Sequence, residues 1–67
     1  MEKFAKRLKE LRTERNLSFV KLSKLTKIGA STLCMYEKCQ RLANLNSLNA
    51  LADFFNVSLD YVVGRED

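Results

Sequence analysis

The sequence predicts an all-α domain built from five short helices. Apolar residues recur at three- and four-residue spacing along most of the chain, the period of a helix packed on one side. Residues suited to helix ends separate these stretches: Asn16, Ser18, Gly29, Asn44, Asn56, Ser58 and Gly64. Proline is absent and glycine occurs twice, which disfavours β-rich and disulfide-scaffold folds.

The first helix is expected from Glu2 to Arg15, with Phe4, Leu8 and Leu11 turned inward and Ala5 and Arg12 beside them. Lys3, Lys6, Glu10, Thr13 and Glu14 fall on its wet side. Asn16 ends it. Ser18 then caps a second helix, Phe19 to Leu25, with Leu22 and Leu25 facing inward and Ser23 small where the next helix approaches. Thr26, Lys27 and Ile28 form the turn, Ile28 as its apolar plug, and Gly29 opens a third helix over residues 30–38 with Leu33 and Tyr36 on its inner side. After a polar link over residues 39–43, Asn44 caps a fourth helix, Leu45 to Phe55, whose inward stripe is Leu45, Leu48, Leu51, Ala52 and Phe55. Asn56 ends it. Ser58 caps a fifth helix, Leu59 to Val63, and Gly64 stops that one in the left-handed conformation. Two short helices joined by a tight turn, over residues 17–38, are the layout of a helix-turn-helix, whose second helix fits a DNA major groove.

The chain has 67 residues, enough for one domain, 1–67, near the lower size for a self-sufficient core. With 46% hydrophobic and 30% charged residues it has the balance of a soluble globular protein. Its apolar runs are far shorter than a membrane span, and the segment after Met1 has no apolar signal-peptide region, so the expected compartment is the cytoplasm. Cys34 and Cys39, without any histidine, make a poor zinc site and read as reduced thiols. No glycine-rich phosphate loop is present, and Glu37 and Asp60 lack an evident catalytic companion. An enzyme is therefore not expected, nor a cofactor, a metal or a small-molecule ligand.

Charge is distributed unevenly. Residues 1–41 carry eleven basic and four acidic groups, a net of +7, whereas residues 42–67 carry a net of −3. A positive two-thirds is a polyanion footprint or simply a hydrated surface. Lys21, Lys24 and Lys27 recur every three residues and carry the same two readings: a solubilising face or a row of phosphate contacts.

At this level of detail the chain resembles the single-domain helix-turn-helix regulators of the phage repressor and Cro type. The resemblance is carried by RLKELR at 7–12, LS at 17–18, LSKLTKI at 22–28, ST at 31–32, YE at 36–37 and LADFFNVSLDYVVGRED at 51–67. It implies a five-helix lambda-repressor-like fold with the third helix in the major groove and the N-terminus of the second aimed at a phosphate, which its free N–H groups favour. Base-facing positions are then Ala30, Ser31 and Met35, with Thr32 and Cys34 beside them. Phosphate contacts fall on Ser18, Phe19, Lys38 and Arg41, joined by Lys21, Lys24 and Lys27. Arg12 and Glu37 occupy the positions of a structural ion pair between the first and third helices. The C-terminal helix commonly helps form a homodimer, which suits palindromic operators.

The sequence departs from the family pattern at several places. Phe19 stands where glutamine is common, Ala30 where arginine or glutamine is usual, and Met35 where polar groups are frequent. Lys27 replaces a turn glycine, and Cys39 and Ala43 replace a glycine and a proline. General grounds favour Phe19 as a core or interface filler over a nucleic-acid stacker. Ser31 and Thr32 can bond base edges or phosphates, and Ala30 and the Thr32 methyl can touch a thymine methyl, but none grips a base in the bidentate way of arginine or glutamine. Affinity is then expected to rest on phosphates, with modest specificity or specificity from DNA shape.

Two functions are compatible with this sequence. One is a sequence-specific regulator, a repressor that binds double-stranded DNA as a homodimer. The other is a helix-turn-helix turned to protein contact, an antirepressor or regulatory partner, using Phe19, Ala30, Cys34 and Met35 as an apolar patch.

Overall fold

Five helices follow one another in a computed structural model that describes residues 2–65: α1 (Glu2–Glu14), α2 (Phe19–Thr26), α3 (Ala30–Glu37), α4 (Leu45–Phe55) and α5 (Leu59–Val62). Met1, Glu66 and Asp67 lie outside the described residues, so of the acidic end read from the sequence only Asp53 and Asp60 are described here. Packed on one another, α1 meets α3 and α5, α2 meets α3 and α4, and α4 meets α5. The domain measures 27 × 24 × 20 Å. No helix among the described residues is long and apolar enough to cross a membrane.

The core gathers one stripe from each helix. Phe4, Leu8 and Leu11 of α1 meet Leu22 of α2, Leu33 and Tyr36 of α3, Leu51, Ala52 and Phe55 of α4, and Val62 of α5. Phe4 and Tyr36 pack edge to face with ring centroids 5.6 Å apart. Leu17, Ile28, Leu48, Val57 and Tyr61 close the core from its margins, so Ile28 does plug the turn. The Tyr36 hydroxyl donates to Ser47 Oγ at 3.1 Å, which satisfies the polar end of a buried ring and ties α3 to α4.

Two leucines expected inside are outside. Leu25 is 48% and Leu45 60% exposed. On α2 the inner face runs along Phe19, Leu22, Ser23 and Thr26, and Leu25 lies about 110° round from its centre at ~100° per residue. Leu45 is the first residue of α4, one turn short of Leu48, and overhangs the edge of the core. Several boundaries also move by one residue. Thr26 belongs to α2 rather than to the turn, Lys38 is the C-cap of α3 rather than its last residue, and α1 and α5 stop at Glu14 and Val62. Within the last turn of α2 the Thr26 hydroxyl donates to the Leu22 carbonyl at 2.8 Å.

All five helices end the same way. Asn16, Lys27, Cys39, Asn56 and Gly64, each just beyond a helix, have φ of 54°, 63°, 58°, 57° and 84°. In four of them paired hydrogen bonds close the end, as where Asn16 N donates to Thr13 O and Leu17 N to Arg12 O at 3.0 and 3.1 Å. Asparagine and glycine accept this left-handed conformation readily, whereas Lys27 and Cys39 hold a Cβ there at a cost of about 1 kcal/mol each. Ser18, Asn44 and Ser58 cap the opposite ends of α2, α4 and α5 by accepting from the N–H three residues on.

These endings make opposite predictions. A Cβ on Gly64 would sit 2.5 Å from Lys3 Cβ, an atom fixed to the α1 backbone. Gly64→Ala is expected to lower stability by about 2–3 kcal/mol in urea titration followed by circular dichroism. Lys27→Gly and Cys39→Gly are each expected to raise it by about 0.5 kcal/mol, because relief of the left-handed strain exceeds the added freedom of the unfolded chain.

Candidate nucleic-acid interface

Residues α2 and α3 share a tight turn in which Lys27 takes the left-handed conformation and Ile28 anchors the chain to the core. At ~100° per residue, Leu33 and Tyr36 fix the inner side of α3, and Ala30, Ser31, Cys34, Met35 and Lys38 then share the side turned away from it. Ser31, Met35 and Lys38 are exposed, while Ala30 and Cys34 are half-buried. Thr32, also half-buried, lies outside this arc, beyond Met35. The predicted base-facing residues thus form one surface, with Thr32 on its flank.

Arg12 ties α3 to α1. Its Nε donates to Glu37 Oε2 at 2.7 Å and its Nη2 to Glu37 Oε1 at 3.2 Å, a two-pronged pair. Its Nη1 donates to the Leu17 carbonyl at 2.8 Å. The guanidinium lies over the Phe19 ring, 4.2 Å from the centroid. One side chain of α1 therefore holds the loop before α2, the first residue of α2 and the last residue of α3. The Arg12 and Glu37 side chains are only 15% and 7% exposed. Donating to the Glu37 carboxylate raises the Arg12 pKa against the desolvation that lowers it. A raised basic pKa stabilises the fold at every pH below the unfolded value, so this charge persists wherever the protein is folded.

Phe19 is therefore packed against the core and under Arg12 rather than extended from the helix end. Ser18 accepts from Lys21 N at 3.0 Å, fixing the start of α2 and leaving its other early N–H groups to face outward partners. Lys21, Lys24, Lys27, Lys38 and Arg41 are all exposed. The N-terminus of α3 has no side-chain cap: Gly29 offers no hydroxyl or carboxylate to its first N–H groups. A cleft of about 250 Å³ runs between α1 and α3, lined by Lys9, Arg12, Phe19, Cys34, Glu37 and Lys38. Lys9 was not singled out from the sequence, although its position one turn before Arg12 on α1 places it beside that residue.

The surface is notable for the sign of its charge. From Arg15 to Ala52 inclusive the chain has six basic residues and a single acidic one, Glu37, and that carboxylate is bound to Arg12. The α2–α3 surface therefore offers cations without a free carboxylate to oppose them.

Two eight-residue helices at a tight turn, the second held outward in a basic surround, define a helix-turn-helix domain. The chain matches the family described as "Helix-turn-helix domain" over residues 5–67, and it belongs to the phage repressor and Cro type of helix-turn-helix protein. It is 40% identical over 60 residues to the HTH-type transcriptional regulator AnsR of Bacillus subtilis (strain 168), a match covering 90% of this chain and 52% of that protein. It is 32% identical over 62 residues to the HTH-type transcriptional regulator ImmR of the same organism, covering 92% of this chain and 49% of that protein. The chain thus spans about half the length of these curated relatives. No solved structure matches it significantly.

Removing either partner of the buried pair leaves an uncompensated charge. Arg12→Ala or Glu37→Ala is expected to cost about 3 kcal/mol, most of the stability a domain this small commands. Arg12→Lys should recover only part of it, since an ammonium lacks the planar fork. Urea titrations of the single and double variants measure the coupling.

Proposed function

We propose that the chain is a DNA-binding transcriptional regulator, a repressor acting in the cytoplasm, that lays α3 in the major groove of double-stranded DNA. The observation that carries this reading is the basic run from Arg15 to Ala52, whose one carboxylate, Glu37, is bound to Arg12. A phosphate backbone, with one negative charge per nucleotide, is the partner that so one-sided a field suits best. Ser18 and the N-terminus of α2 approach one strand, Lys38 and Arg41 the other, and Lys21, Lys24 and Lys27 add phosphate contacts along the rim. Ala30, Ser31, Cys34 and Met35 meet the base edges, with Thr32 at the side. Bound protein represses by excluding polymerase from the same stretch of duplex.

The longest dimension of the domain is 27 Å, less than the ~34 Å of one turn of DNA. That size suits one half-site per copy, and the proposal includes a homodimer reading two. The names of the relatives support the regulatory role.

The test is selection from a random duplex pool followed by salt titration of the winner. A single sequence class should be enriched, and log Kd should rise steeply with log salt. Lys38→Gln and Arg41→Gln should each weaken binding alike on winning and losing sequences and reduce the salt slope by about one. Slopes unchanged in both variants would remove Lys38 and Arg41 from the interface; a pool with no enriched class would remove the regulator reading.

A further inference from the structure

We infer that this domain reads its site through the C5-methyl groups of pyrimidines, thymine in ordinary DNA, rather than through bidentate hydrogen bonds to base edges. The inference rests on the DNA-binding reading above and names the feature of the duplex that α3 recognises.

The outward side of α3 carries a methyl at Ala30, a thiol at Cys34, a thioether with a terminal methyl at Met35 and one hydroxyl at Ser31. From residue 30 to residue 36 there is no amide, guanidinium, ammonium or carboxylate. In the major groove the four base pairs differ in their hydrogen-bond donors and acceptors and in the thymine methyl. A surface without bidentate groups reads little of the first difference. The Ser31 hydroxyl donates and accepts alike and separates bases weakly. What remains is the apolar contact between Ala30 or Met35 and a C5-methyl group. Lys38, the one cation on this side, follows the last helical residue, about 12 Å along the axis from Ala30. It lies at the end of the helix that meets the backbone, since the N-terminal residues of such a helix are those that contact bases.

The apolar strip is also placed for DNA rather than for a protein groove. It is only a few residues wide, Met35 being 37% exposed. In the chain, Lys27 precedes this helix and Lys38 and Arg41 follow it, and the one carboxylate from Arg15 to Ala52 is bound to Arg12. That combination matches an apolar methyl set between two rows of phosphates.

The experiment uses the 67-residue chain and the duplex it selects from a random pool. Each thymine of the winning site is replaced in turn by deoxyuridine, which removes the methyl and keeps every hydrogen-bonding group. At one or more positions per half-site Kd should rise about three- to fivefold, the worth of one buried methyl. At such a position a 5-methylcytosine pair should bind better than a plain cytosine pair. Met35→Gln should abolish the uracil effect at one position while leaving the thermal midpoint of the protein unchanged. An enriched site whose uracil versions all bind within twofold of the parent overturns the methyl inference and leaves the regulator reading standing. A pool that enriches nothing overturns the regulator reading itself.

Discussion

The guanidinium of Arg12 is the joint on which the domain turns. Its plane is filled by Glu37 and the Leu17 carbonyl, and its face is covered by the Phe19 ring. A planar group with donors at its edge and a cationic face is the side chain that meets all three demands at once. The arrangement is largely withdrawn from water, so its hydrogen bonds act at low dielectric and tolerate little displacement. Because the three contacts come from the loop, from α2 and from α3, one residue of α1 ties both motif helices together.

Around that joint the chain uses backbone economy. Five helices of four to thirteen residues are each stopped by a single left-handed residue, so turns remain short and the core remains contiguous. Arg15 works in the same sense: its Nη2 donates to the Phe55 carbonyl at 3.2 Å, and its guanidinium lies 4.9 Å from the Phe55 ring centroid. A cation thereby meets the negative end of α4 and covers a buried ring. Arg7 does the like for Tyr61, 4.1 Å from its centroid, joining α1 to α5.

Much of this was legible in the sequence because it is local. Ser18, Asn44 and Ser58 announce helix starts through a hydroxyl or amide three residues before a free N–H, and Asn16, Asn56 and Gly64 announce ends through tolerance of positive φ. Leu25 and Leu45 were misjudged for the complementary reason. Periodicity shows that a helix has an apolar side, but which edge of that side is covered depends on where its neighbours lie, and those neighbours are distant in sequence. The stacking of Arg12 on Phe19 was out of reach in the same way: an aromatic at the start of α2 has no signature of the cation that will cover it. The basic run could have been found by counting, since only Glu37 interrupts it. That Glu37 is paired with Arg12 follows from the resemblance, and the fold shows the pair buried.

Gly29 carries a consequence of a different kind. Its backbone is ordinary for any residue, with φ of −56°, and a Cβ there would meet nothing closer than Thr32 Oγ1 at 3.6 Å. The neighbouring outward positions Ser31 and Met35 take no part in the buried core. At Gly29, Ser31 and Met35 the lip of the domain therefore carries no packing of the core. Substitutions along that lip can change the outward surface without disturbing the core that holds the fold.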